Sequence, residues 1–346
     1  MERRSFLAAL AGAAALPSRR FAGAGPAATV CGTIHTVRGP IDAAQMGVTL
    51  VHEHVLVDFV GAEKVSRSRY DADEAFRTIL PHLQELRKQG CRTLLECTPA
   101  YLGRDPLLLR RLSEASDLHI VTNTGYYGAA NDSAVPRHAY AESPRQLADR
   151  WTAEARHGIE GTGIRPGFVK IGVDAGPLSD IDRKLVEAGA LCHLATGLTL
   201  AIHTGNGVAA LEILSTLRRL GVSPEAYVWV HPQNEPDLAT RSWAAAQGAW
   251  VELDGVGPKS LEAHVEGVLD LARRGQLDRV LVSQDAGWYR VGEAGGGAYR
   301  THTFLLEAFV PALRARGLGE AEVRALLVEN PARAFAVRRR PLAAGA

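Results

Sequence analysis

Along most of the chain, short apolar runs alternate with longer stretches in which apolar positions recur every three or four residues. The short runs read as strands: Val48–His52, Thr93–Cys97, Leu118–Asn123, Phe168–Val173, Leu198–His203, Tyr227–His231, Ala249–Leu253 and Arg279–Ser283. Near-continuous Val, Ile and Leu is what a strand covered on both faces requires. Between them lie amphipathic stretches, among them Asp73–Lys88, Ser143–Arg156, Asp180–Thr196 and Leu261–Arg273. Their spacing turns one apolar stripe toward a sheet. Lys88-Gln89-Gly90 and Arg218-Arg219-Leu220-Gly221 close helices on a glycine. Eight strands, each followed by a helix, predict an α/β protein of the (β/α)8 TIM-barrel type rather than an open sheet. A short β-hairpin arm is expected ahead of the barrel over Gly32–Pro40.

Composition adds limits. The 346 residues are 46% hydrophobic and 22% charged, with a net charge of +1. That is ample for one large core, and the interspersed charges give neither nucleic acid nor an anionic membrane surface much to hold. Cys31, Cys91, Cys97 and Cys192 form no CxxC pair and read as small apolar residues rather than a disulfide framework. The first residues differ from the rest. Arg3-Arg4-Ser5-Phe6-Leu7 leads into an Ala-rich apolar stretch ending at Leu16, and Ala22-Gly23-Ala24 offers a cleavage site. This order is that of an export signal, and the paired arginines resemble the twin-arginine type. The stretch is far shorter than the roughly 20 residues that span a bilayer, so no stable membrane insertion is expected. Residues 1–24 are therefore read as the signal and 25–346 as one catalytic barrel, periplasmic or secreted.

Candidate chemistry falls at the carboxyl ends of the strands, where barrel enzymes place their sites. His52 and His54 are two apart, so on an extended strand both imidazoles project from one face. Glu53 between them points to the other face, which suits support rather than ligation. His203 ends the fifth strand, His231 the sixth, and Asp285 follows the eighth. Lys170 stands inside the fourth, between Val169 and Ile171. Burying an ammonium there costs several kcal/mol unless it is paired or loses its charge. Carboxylation by carbon dioxide, a buried carboxylate partner and a Schiff-base role all answer that cost.

The ordered series resembles the phosphotriesterase family of the amidohydrolase superfamily, which includes phosphotriesterase-like lactonases and aryldialkylphosphatases. The resemblance runs from Thr36-Val37-Arg38-Gly39-Pro40 through Gly47-Val48-Thr49-Leu50-Val51-His52-Glu53-His54 and Leu102-Gly103-Arg104-Asp105. It continues through Gly158-Ile159-Glu160-Gly161-Thr162-Gly163-Ile164-Arg165, the Lys170 strand and His203-Thr204 to Glu329-Asn330-Pro331-Ala332-Arg333. It implies two divalent metal ions, zinc foremost, with manganese, iron or cobalt also suited to such ligands. One would be held by His52, His54 and Asp285 and the other by His203 and His231, with Lys170, carboxylated by carbon dioxide to N6-carboxylysine, bridging them. A bridging hydroxide would attack a lactone, carboxylic ester or phosphotriester, with Asp285 taking its proton and Tyr127 touching it. Tyr126, Trp288 and Arg290 are the candidate substrate contacts, Tyr126 being also the better packing residue of its pair. Arg290 and Arg300 are candidates for an anionic substrate group. Gly255 stands where the lactonases carry an arginine, and the histidine of the phosphotriesterases proper is missing nearby. The resemblance further implies a homodimer. Two other readings are a TatD-type phosphodiesterase or nuclease, which would carry a glutamate in place of Lys170, and a non-catalytic metal-binding barrel.

Overall fold

The computed structural model describes residues 31–343, so the expected export signal over 1–24 lies outside them. The chain opens with strands β1 (Thr33–Thr36) and β2 (Gly39–Asp42), an antiparallel hairpin in which Thr33 faces Asp42. This is the arm expected ahead of the barrel. The Val37 N–H donates to the Ile120 carbonyl and fastens the arm to the third barrel strand.

The barrel strands are β3 (Thr49–Val57), β4 (Thr93–Glu96), β5 (His119–Val121), β6 (Asn123–Thr124), β7 (Phe168–Val173), β8 (Thr199–Thr204), β9 (Tyr227–Val230), β10 (Trp250–Leu253) and β11 (Val280–Val282). A further strand, β12 (Gly287–Arg290), follows. Strands β6 to β11 make one parallel sheet, while β12, β3, β4 and β5 make the other. Strands β5 and β6 are one expected strand interrupted at Thr122, so that β5 pairs with β4 and β6 with β7. On the far side the Asp285 N–H donates to the His52 carbonyl and the His54 N–H to the Ala286 carbonyl. The two sheets thus follow one another around a (β/α)8 barrel.

Helices α1 (Ala72–Lys88), α2 (Pro106–Ser116), α3 (Arg137–Ala141), α4 (Pro144–His157), α5 (Asp180–Thr196), α6 (Gly207–Arg219), α7 (Leu238–Ala246) and α8 (Leu261–Arg273) flank the strands. Helix α1 shows the local logic. Asp71 caps its first turn through the N–H groups of Asp73 and Glu74, and Ala75, Ile79, Leu83 and Leu86 form its buried stripe. Full burial of each leucine contributes about 1.5–3 kcal/mol. Inside the barrel, Val51, Leu95, Phe168, Val228 and Leu281 pack with Phe335 and fill the end away from the site. Cys91, Cys97 and Cys192 are buried free thiols, as expected of small apolar residues, whereas Cys31, ahead of β1, is exposed. No helix among the described residues is long and apolar enough to cross a membrane.

Two boundaries differ from the sequence reading. The first barrel strand does not end at His52 but continues to Val57. Glu53 interrupts the apolar pattern, yet it is fully buried and hydrogen-bonded, so the strand runs through it. Strand β12, which no local pattern announces, pairs with β3 at Gly287–His54 and Tyr289–Leu56. Gly287 permits this approach: at φ +98° it lies so close that a Cβ would stand 2.9 Å from the His54 carbonyl carbon.

Candidate metal centre

Alternation along β3 turns His52 and His54 to the same side. Lys170 projects from β7 and His203 from β8, while His231 follows β9 directly and Asp285 lies three residues beyond β11. The six side chains meet at the carboxyl end of the barrel. Asp285 Oδ1 lies 3.2 Å from His54 Nε2 and 3.9 Å from His52 Nε2. The His52 ring centroid is 5.1 Å from that of His231, which is 4.5 Å from that of His203. His231 and Asp285 both hold left-handed backbone, at φ +62° and +51°. Non-glycine residues there cost of order 1–3 kcal/mol, a strain the surrounding structure must hold in place.

Each imidazole is aimed by a partner on its other nitrogen. His52 Nδ1 is hydrogen-bonded to Glu252 Oε1 at 2.8 Å, with Asp254 Oδ2 at 3.3 Å. His54 Nδ1 meets Thr98 Oγ1 at 2.8 Å, and His231 Nδ1 meets Asp254 Oδ1 at 2.6 Å. In all three the Nε2 lone pair is left for a ligand. His203 has its Nδ1 3.1 Å from the Tyr127 hydroxyl. Glu252, Asp254 and Thr98 were given no role by the sequence reading. A signal existed for the two acids, which recur with period two at the end of a buried strand, the argument applied above to Lys170. Thr98 carries none.

The charges are arranged to match. Burial, and then the charge of Lys170, push His52 down to about 4, so it is neutral at pH 7. Burial likewise holds His203 well below its usual value, helped by His231. For Asp285, burial acts to raise the pKa, but the His54 hydrogen bond and the His52 charge outweigh it and hold the carboxyl near 2. Burial raises Glu252 well above the carboxylate range, with Asp254 beside it, whereas His231 and His52 keep Asp254 well below it despite burial. Two adjacent carboxylates cannot both ionise cheaply, and Glu252 keeps the proton.

Glu53 supports the site from behind. Its carboxylate accepts from Ser283 Oγ (2.8 Å) and from the N–H groups of Gln284 (3.1 Å) and Ala286 (2.9 Å), pinning the segment that carries Asp285. Glu96 is also buried, and its Oε1 accepts from the Val55 N–H at 3.2 Å. The Trp288 ring packs over His54 at 4.3 Å and stacks on exposed Phe59 at 5.7 Å. Tyr127 leans on the cluster, but Tyr126 does not: its hydroxyl bonds His138 Nε2 at 3.0 Å. Tyr126 lines a side cavity of about 580 Å³, shared with Tyr101, Arg104 and Trp151, to which no ligand candidate contributes. Arg290 is exposed and pairs with Glu293 at 3.5 Å.

The donors suit a divalent cation. His52, His54 and Asp285 offer ligand atoms within 4.8 Å of one another, and so do His52, His231 and Asp254. Imidazole and carboxylate favour borderline metals such as zinc, manganese, iron or cobalt. The Lys170 Nζ, fully buried in the same cluster, has no hydrogen-bond partner.

Such a donor set at the carboxyl end of a (β/α)8 barrel defines a metal-dependent hydrolase. The comparisons with known proteins agree. The model of the Phosphotriesterase family matches residues 32–335, and the chain belongs to that family. It is 30% identical to the phosphotriesterase homology protein of Escherichia coli (strain K12), covering 84% of this chain and 98% of that one. It is 28% identical to the N-acetyltaurine hydrolase of Mus musculus, over 88% of this chain and 97% of the relative. The crystal structure of a mutant Deinococcus radiodurans PTE-like lactonase superposes with a TM-score of 0.79 at 26% identity, covering 88% of this chain and 100% of that one.

Proposed function

We propose that this chain hydrolyses ester-like bonds, chiefly lactones and carboxylic esters, with phosphotriesters as a side reaction, using two divalent cations and a carboxylated Lys170. The observation that carries the reading is the orphaned Lys170 amine amid four histidines and Asp285. An amine so placed costs several kcal/mol. Bond formation between Nζ and the carbon of carbon dioxide, with loss of one proton, converts it into an anionic oxygen donor facing the same ligands.

The cations, when bound, supply a water of lowered pKa and polarise the electrophile. The chain's residues do the rest. Asp285, ionised at neutral pH, orients the attacking water and accepts its proton. The Tyr127 hydroxyl, which burial keeps protonated, donates a hydrogen bond beside His203. Trp288 and Phe59 form an aromatic lip that shields the His54 side of the mouth.

Metal analysis and the Lys170→Ala variant test this reading. The purified protein should hold about two divalent ions per chain, and the variant should lose activity and the second ion together. Fewer than about one ion per chain, or wild-type activity in Lys170→Ala, overturns it. A screen of lactones, aryl esters and phosphotriesters ranks the substrates. The N-acetyltaurine hydrolases among the relatives add N-acyl amides to that screen.

A further inference from the structure

Two arginines follow Asp285 in the chain, Arg290 at the end of β12 and Arg300 beyond it, and their surroundings separate them. Arg290 has its charge met by Glu293. Arg300 has no carboxylate partner among the described residues, and its side chain is bonded only to backbone. Nη1 donates to the Asp285 carbonyl at 2.9 Å and Nη2 to the Gln284 carbonyl at 3.3 Å. A guanidinium carries five N–H donors in a planar fork, so three remain unused. They belong to an exposed residue.

The place of this cation matters more than its freedom. The Asp285 carbonyl that it binds also accepts from Trp288 Nε1 at 2.8 Å. Trp288 in turn covers His54, whose Nε2 is 3.2 Å from the Asp285 carboxylate. The guanidinium is thus anchored on the backbone of the residue whose carboxylate faces His54, and it shares that carbonyl with Trp288 of the aromatic lip. Across from it stands Gly257, where a Cβ would lie 3.8 Å from both Arg300 Nη2 and Ser260 Oγ, so the glycine itself adds no side chain over the guanidinium. The carboxylates of the cluster are already engaged: Asp285 by His54, Asp254 by His231 and Gln233. With a net charge of only +1 on the chain, selection of an anion must come from such a local group rather than from a general field.

We propose that Arg300 is a specificity-determining residue that takes a carboxylate or sulfonate group of the substrate, which makes the preferred substrates anionic esters or N-acyl amides. The claim rests on the hydrolase reading of the same site. Guanidinium pairs with such oxyanions through two parallel hydrogen bonds, and these charge-assisted bonds are about twice as strong as neutral ones. At the rim of a site a contact of this kind changes affinity by about tenfold to a hundredfold.

The test compares 4-acetoxybenzoate with its methyl ester, which share the acetyl group and differ in the remote charge, each rate being divided by that of hydroxide-catalysed hydrolysis to remove the difference in leaving group. The metal-loaded wild type should prefer the anion by at least about tenfold in kcat/KM, mainly through KM. Half-molar salt should erode that preference. Arg300→Gln retains an amide donor for the carbonyls and should lower the anion-to-neutral ratio about 10- to 100-fold, whereas Arg300→Lys should restore much of it. An unchanged ratio in Arg300→Gln, or a wild type without preference, overturns the proposal and needs no variant in the second case. Calorimetric binding of 4-methoxybenzoate and its methyl ester to the holoenzyme gives a readout without turnover. If neither ester nor any lactone, phosphotriester or N-acyl amide of the screen is hydrolysed, the hydrolase reading fails, and the binding preference still decides the role of Arg300.

Discussion

Replacing Gly172 with alanine asks whether Tyr127 must lie where it does for the site to work. Gly172 sits on β7, two residues beyond Lys170, and its carbonyl accepts from the Gly128 N–H at 2.8 Å. The missing Cβ leaves the space occupied by the Tyr127 ring: a methyl there would stand 2.6 Å from Cε2 and 2.8 Å from Cγ. Carbon atoms pack at about 3.5–4.0 Å, so the ring must retreat by about 1 Å. The backbone is not in the left-handed region and accepts alanine, so the strain falls on the tyrosine. The retreat draws the hydroxyl away from His203 Nδ1, now at 3.1 Å. Overpacking of this size costs about 1–3 kcal/mol of stability. A catalytic group displaced by about 1 Å loses up to about 100-fold in rate. The expected outcome for Gly172→Ala is a folded protein with its metal complement intact and kcat/KM for a lactone lowered about 10- to 100-fold. Tyr127→Phe should fall by a similar factor, and the double variant should be no worse than about threefold below the poorer single variant, since both remove one contact. A folded, metal-replete Gly172→Ala enzyme with wild-type kcat/KM would refute the reasoning, because the ring would then have moved without consequence.

Two further outcomes follow from the buried charges. Asp254, ionised and bonded to His231 Nδ1, should be needed to hold that ring: Asp254→Asn weakens metal binding about 10- to 100-fold in chelator competition. Glu252→Gln replaces a carboxyl that already keeps its proton and should cost less than about tenfold, so equal losses in the two variants would contradict the assigned charges. Away from the site, burial lowers His193 to about 4, and its neutral ring both meets the Leu198 carbonyl at 2.8 Å and accepts the Arg340 N–H at 2.9 Å. A histidine depressed in the folded state gives stability that is whole above about pH 6.5 and lost as the pH falls toward 4. The total is roughly 3 kcal/mol. Denaturant titrations of His193→Gln should show a correspondingly flatter decline over that window than the wild type, and identical slopes would remove His193 from the account.

How far the chain could be read from its sequence depends on where the information sits. The barrel was readable because its strands are covered on both faces, as in β7, whose six residues are all buried, and the helices carry one apolar stripe each. The ligand candidates stood out for the opposite reason: Lys170 and the His-x-His pair are chemically expensive residues in apolar runs. The same reasoning extended to Glu252 would have found the group that orients His52. Thr98 is ordinary strand-end chemistry, and only the 2.8 Å contact with His54 marks it. Strand β3 was cut short at Glu53 because a charge reads as a strand end. What keeps Glu53 inside is the set of donors from Ser283, Gln284 and Ala286, some 230 residues away, which local pattern does not contain. Strand β12 depends likewise on Gly287 meeting His54. The two arginines make the limit plainest. Arg290 and Arg300 are the same residue type ten positions apart, and the sequence offers both to an anionic substrate. A glutamate three positions on engages the first, while the second is held only by the backbone carbonyls of Gln284 and Asp285. The proposed specificity rests on which charge is left without a partner, and that is a property of the folded chain.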